Sequence, residues 1–266
     1  MATLSTPVFM AIKLGGEVVR TEMRNAIDQL VGCATPICDA TARGEAELVG
    51  SAVLINVSGE TFLCTANHVI EHNVSSTLYF DGPSQLEILH GDFLISAEHD
   101  IAVMKLSEAQ AIGFGKYSPL QEYFIGNSVQ TEASKIAEFL GFPCSKNRIA
   151  HNANKIKGLL QSNADKVIET TSSRVRIYFD KKRNINTKTR QVVQAPDPFG
   201  MSGGAMFGVP LNCDTIEGVV KPKLIGISTH DIPSKKEVYG ASIAVVLKII
   251  RDGWQVSLPD RLNPTI

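Results

Sequence analysis

Three residues carry the chemistry this sequence can do: His68, Asp100 and Ser202. Ser202 lies in DPFGMSGGAMFG, residues 197–208, where four glycines surround one hydroxyl and apolar residues follow at once. A loop that only needs flexibility does not run straight into strand-like sequence. A turn that presents a nucleophile does, because glycine lets backbone N–H groups approach a reacting oxygen with no Cβ in the way. A serine hydroxyl is a weak nucleophile and needs an adjacent base. His68 lies in FLCTANHVI, residues 62–70, where a buried-looking strand ends in small residues and a short helical turn can hold the backbone while the ring faces a cleft. Asp100 opens the apolar strand DIAVMKL, where it can orient an imidazole and stabilise its charged form. Taken singly, His68 also reads as a structural histidine and Asp100 as a turn residue; Asp92 is the alternative acid.

The elements that must position these groups are mostly short strands. ELVGSAVLINV, SGE and TFLCT, residues 47–65, read as two strands across a tight turn. STLYF, LEIL and DIAVMKL follow between polar turns, and residues 113–127 form a crossover. The second half resumes with KIAEFLGFP, NKIKGLLQS, KVIETTSSRVRIYF, GGAMFGV and KPKLIGIST. Apolar spacing predicts a helix over residues 17–32 and an amphipathic one from Ile243, stopped near Gly253. Two blocks of strands with helices only at the ends point to two β-barrels rather than alternating βαβ units. The expected organisation is an N-terminal helical extension over 1–45, a first barrel over 46–118 with His68 and Asp100, and a second over 119–254 with Ser202 and the C-terminal helix. A tail over 255–266 completes it.

Composition narrows the function classes. The 266 residues are 44% hydrophobic and 20% charged, with a formal net charge of −1, so nothing in bulk charge points to nucleic acid or an anionic membrane. The basic run DKKRNINTKTRQ, residues 180–191, reads as a solvated hairpin or loop. No stretch reaches the roughly 20 apolar residues of a membrane span, and the first residues do not read as a secretory leader. Five scattered cysteines without a CxxC pair argue against a disulfide framework and against zinc, so no metal is expected and a cytoplasmic, reduced protein is.

In their chain order His68, Asp100, Ser202, the motifs TANH, DIAV and GMSGGAMFG resemble the chymotrypsin-fold, trypsin-like serine peptidase superfamily, from about Gly50 to Trp254. The resemblance implies an all-β fold of two six-stranded barrels, a cofactor-free endopeptidase acting on a protein or peptide substrate through an acyl-enzyme, and an oxyanion hole built from the N–H groups of Gly200 and Ser202. It further implies a substrate cleft walled by Thr229, His230 and Asp231, with Pro196 where the trypsin branch carries a basal aspartate, so that a lysine or arginine before the scissile bond is not expected to be preferred through a basal acid; Asp197 and Asp231 are the acids near enough in sequence to hold one instead. Met201 stands where the digestive enzymes have the aspartate that pairs with a newly cut N-terminus, and Val69 replaces a disulfide cysteine; both departures suit an intracellular or bacterial-type branch. Two other functions stay open: a partner-processing protease regulated by residues 1–45, and a peptide-binding pseudo-protease without turnover.

Overall fold

The computed structural model describes residues 30–40, 46–71, 77–150, 155–157, 159–185, 192–210 and 222–263. It is mainly β. Seven strands make the first sheet: β1 (Ala34–Ala40), β2 (Ala46–Val57), β3 (Glu60–Ala66), β4 (Tyr79–Asp81), β5 (Leu86–Ile88), β6 (Leu94–Ser96) and β7 (Ile101–Lys105), in the spatial order β5-β4-β1-β2-β3-β7-β6. The β2–β3 hairpin turns on Ser58 and Gly59, at φ of 52° and 82°. Two successive positive φ values give the two-residue turn whose twist matches its strands, which is why a Ser-Gly pair sits there.

The central strands are apolar on both faces. Along β2, Val53, Ile55 and Val57 join one core cluster while Ala52 and Leu54 join another. The second cluster also takes Ile37 of β1, Phe80 of β4, Leu63 of β3 and Met104 of β7. Strands far apart in sheet order can share one cluster only if the sheet curls around it. Closure is not reached: no ladder joins the edge strands β5 and β6 among the described residues. The first unit is thus a curled seven-stranded sheet, where a closed six-stranded barrel was expected. Its first strand begins at Ala34 and pairs with β2. The expected helix over 17–32 lies largely outside the described residues, and Val31–Cys33 form a 3-10 turn.

The second unit does close. Strands β8 (Ser134–Gly141), β11 (Gln161–Thr170), β12 (Arg174–Tyr178), β15 (Ala205–Pro210), β16 (Lys223–Ile232) and β17 (Glu237–Ser242) form a barrel in the order β11-β12-β17-β16-β15-β8. Two small hairpins leave it, β9 (Arg148–Ala150) with β10 (Lys155–Lys157), and β13 (Asn184–Ile185) with β14 (Val192–Val193). Short helices α1 (Asn67–Glu71), α2 (Glu108–Gly113) and α3 (Ser128–Ala133) sit in connections. The terminal helix α4 (Ile243–Trp254) starts at its Ser242 N-cap and stops at Gln255, which is left-handed. It buries Ile243, Val246, Leu247 and Ile250 in a cluster shared by both units, with Val53 and Val103 from the sheet and Phe207 and Leu224 from the barrel. The crossover stitches the units further: Leu120 exchanges backbone bonds with Leu54 and Asn56, and Gly126 donates to Leu224.

The sheet–helix contact has a built-in reporter. Phe62 is fully buried and meets the edge of Trp254, the only tryptophan, at 5.5 Å and 61°. Phe62→Ala is expected to cost about 3–5 kcal/mol in urea unfolding and to shift Trp254 emission in the folded protein.

Candidate active site

Register brings the first two groups together. Ala66 at the end of β3 pairs with Ile101 at the start of β7, so Asn67 and Asp100 lie opposite one another just beyond the ladder, with Asn67 N–H donating to the Asp100 carbonyl at 3.0 Å. Asp100 closes a 3-10 turn in the left-handed region, φ 53° and ψ 46°. Aspartate tolerates that conformation better than most side chains. Its carboxylate is spent on His68: Oδ1 accepts the backbone N–H at 2.9 Å and Oδ2 the ring Nδ1–H at 2.7 Å. A carboxylate can only accept, so the neutral imidazole carries its proton on Nδ1 and its lone pair on Nε2, the arrangement of a general base. Burial pushes the Asp100 carboxyl up, but the His68 ring and backbone hydrogen bonds outweigh it and hold the group below its ordinary value. Asp92, the alternative acid, is exposed.

The third group sits on the loop that enters β15. Gly200 and Gly203 take φ of 93° and 85° there, and a Cβ on Gly203 would lie 1.9 Å from the Ser51 carbonyl oxygen. Four successive carbonyls of this loop are tied to the scaffold. Phe199 accepts from Cys144 N–H at 2.8 Å, Gly200 from Ser51 Oγ at 2.8 Å, Met201 from Ser228 Oγ at 2.8 Å and Ser202 from Ser51 N–H at 2.8 Å. Met201 N–H closes a turn on Pro198, and Gly203 N–H reaches Ser228. The N–H groups of Gly200 and Ser202 have no hydrogen-bond partner among the described residues. Met201, in place of an ion pair, plugs its side chain into the barrel core beside Phe139 and Met206.

His68 and Ser202 line one cavity of about 950 Å³, together with Met201, Phe199, Thr229 and His230. Ser202 Oγ donates to the Thr229 carbonyl at 2.6 Å. Thr229 is buried, and its hydroxyl lies 3.0 Å from His230 Nδ1, while the His230 ring stacks on Tyr239 at 4.9 Å. Pro196 is not among the residues lining the cavity; Asp197 and Pro198 are. Nor is the basic run wholly solvated: Asp180 is buried and paired with Lys236 at 2.8 Å, Lys181 pairs with Asp197 at 2.5 Å, and these four line the cavity. The remainder of that run, residues 186–191, lies outside the described residues.

Sequence reasoning missed Ser51. This fully buried serine of β2 holds Gly200 O through Oγ, accepts Phe142 N–H at 2.9 Å on the same atom, and takes Thr65 Oγ1 on its own carbonyl at 2.7 Å. The signal was a lone hydroxyl inside the apolar run VGSAVLINV. Among the described residues Cys33, Cys38, Cys64 and Cys144 are free thiols, and no group of three or more His, Cys, Asp or Glu is placed to hold a metal ion. No described helix is long and apolar enough to cross a membrane.

The chain matches no family model and no curated protein. Solved structures resemble it in fold. One comes from work on aromatic interactions in the coupled folding and binding of the intrinsically disordered Sesbania mosaic virus VPg protein. It is 11% identical with a TM-score of 0.48, over 86% of this chain and 98% of that one. Another is the apo MamO protease domain of Magnetospirillum magneticum, 12% identical with a TM-score of 0.47, over 83% of this chain and 97% of that one. Likenesses this distant carry nothing about what this chain does.

Two outcomes follow from this geometry. Ser51→Ala strands the buried Phe142 N–H and unties Gly200 O, so it should cost about 1–3 kcal/mol in chemical denaturation. Because the folded-state value of Asp100 lies below its unfolded one, its contribution to stability is present above about pH 4 and is lost as pH falls through the lowered value. Denaturant midpoints measured from pH 6 to pH 2 should show this acid limb in the native protein and a weaker one in Asp100→Asn.

Proposed function

We propose that this chain is a serine endopeptidase of the trypsin-like superfamily, with the curled sheet as that fold's first barrel and the closed barrel as its second. One observation carries the reading. A histidine held by a carboxylate at 2.7 Å shares a cavity with a serine whose loop offers two unpartnered N–H groups. In this reading Ser202 Oγ attacks the scissile carbonyl of a protein or peptide as His68 Nε2 takes its proton. The C–O bond forms as the carbonyl π pair moves to oxygen, and that oxyanion accepts from Gly200 and Ser202 N–H. Collapse breaks the C–N bond, His68 returns the proton to the leaving amine, and water repeats the sequence on the acyl-enzyme. Asp100 keeps the ring in the Nδ1–H tautomer and balances its positive charge. No step needs a cofactor. The free thiols suit a reducing, cytoplasmic compartment.

In this reading the Ser202 hydroxyl gives up its bond to Thr229 O when it passes its proton to His68. That same bond favours the second reading, a peptide-binding pseudo-protease whose serine keeps its hydroxyl on Thr229 O. A fluorophosphonate probe separates the two, because only an activated Ser202 is labelled. Regulation by residues 1–45 would appear as a change in labelling rate when they are removed.

In peptide hydrolysis assays, Ser202→Ala and His68→Ala should each abolish turnover to a similar residual level, since the groups act as a unit. Asp100→Asn should lower kcat by roughly 10⁴-fold by stabilising the wrong tautomer. Near-native turnover in any of the three would rule out this mechanism.

A further inference from the structure

The charges lining the cavity beside Ser202 are mostly matched. Asp180 holds Lys236 at 2.8 Å, Asp197 holds Lys181 at 2.5 Å, and Glu237 holds Arg176 at 2.9 Å. Asp231 is the exception. It lies on β16 across from Val238 of β17, is half-buried on the cavity wall, and makes no ion pair among the described residues. Lys182, which also lines the cavity, makes no ion pair among the described residues but is exposed, where solvent and salt screen it.

We infer that Asp231 is a specificity-determining residue that selects substrates with a lysine or arginine side chain on the acyl side of the scissile bond. The inference rests on the hydrolytic reading of the site. A cation entering an apolar-walled cavity loses hydration and needs a buried partner. Pro196 offers none, and Asp197 is already committed to Lys181. Asp231 can supply a charge-assisted hydrogen bond from the neighbouring strand, three residues beyond the one whose carbonyl reaches Gly203 N–H. The surroundings favour the arrival of positive charge. Burial, then the charge of Asp197, push the Asp231 carboxyl above its ordinary value, against its own backbone hydrogen bond, Lys181 and His230. A substrate cation offsets both by favouring the charged carboxylate.

The test compares two quenched-fluorescence peptides that differ only at the residue before the scissile bond, arginine or norleucine. The ratio of their kcat/KM values is read within one enzyme preparation, so the fraction of folded protein cancels. The wild-type ratio should favour arginine by roughly ten-fold or more, the size of a hydrogen bond to a charged group. Asp231→Asn should bring the ratio near one, and Asp231→Lys should shift preference toward a glutamate peptide. A wild-type ratio at or below one, or a ratio unchanged by Asp231→Asn, overturns the inference and leaves hydrolysis standing. A second arm needs no turnover. In Ser202→Ala, N-acetyl-arginine amide should bind more tightly than N-acetyl-norleucine amide by NMR titration, and adding Asp231→Asn should erase the difference. If the wild type cleaves neither peptide, the hydrolytic reading fails, and this arm still decides the role of Asp231: equal binding of the two amides overturns it.

Discussion

Ser51 is where the two halves of the molecule become one site. A single buried residue on the first sheet holds two carbonyls of the loop that enters β15, on either side of Met201: Gly200 through its side chain and Ser202 through its N–H. Thr65, on the next strand, anchors Ser51 in turn. With their carbonyls bound to the scaffold, the peptide planes around Ser202 have little freedom, and the N–H groups of Gly200 and Ser202 are left without a partner among the described residues. Gly203 is required by the same contact, because no Cβ fits between this loop and the Ser51 carbonyl. For the proposed oxyanion site this matters, since donors that must reorient during reaction give back much of what they contribute.

The histidine half is positioned by a different device. Strand register sets Asn67 against Asp100, and the left-handed conformation of Asp100 turns its carboxylate back along the chain to meet both N–H groups of His68. Strands β3 and β7 can fix that register because they are buried on both faces, and a slip of one residue would move every side chain into the wrong cluster. Packing on both sides of one sheet thus becomes ångström-scale control of a hydrogen bond at its end.

Between these halves the cavity combines an apolar floor with charges held in pairs. Lys181–Asp197 and Lys236–Asp180 tether the nucleophile loop and the β17 end to the segment that follows β12. Such pairs contribute little net stability when partly exposed, but they fix which charges a substrate meets. Ser202 itself is tied to the same wall, its hydroxyl donating to the Thr229 carbonyl at 2.6 Å.

How much of this was legible in the sequence differs from residue to residue. Local chemistry was readable: a glycine-flanked serine, a histidine after a buried strand, an acid before one, a two-residue Ser-Gly turn and a capped amphipathic helix all declare themselves within a dozen residues. Their signals are short-range because they arise from backbone conformations and side-chain periodicity. The sheet count, the lack of closure in the first unit and the start of β1 at Ala34 were not readable, since closure depends on which edges meet in space. The same holds for charge. In sequence Asp180 and Lys181 belong to a basic run, Pro196 occupies the expected pocket position, and Ser51 is one hydroxyl in a strand. Only the fold brings Asp180 and Lys181 into the cavity wall, leaves Pro196 off it and sets Ser51 under Gly200. The sequence by itself determined which groups could react. The tertiary structure decided which of them meet and which charges are paired, because those are properties of contacts between residues well apart in the chain, from 16 positions for Lys181 and Asp197 to 149 for Ser51 and Gly200.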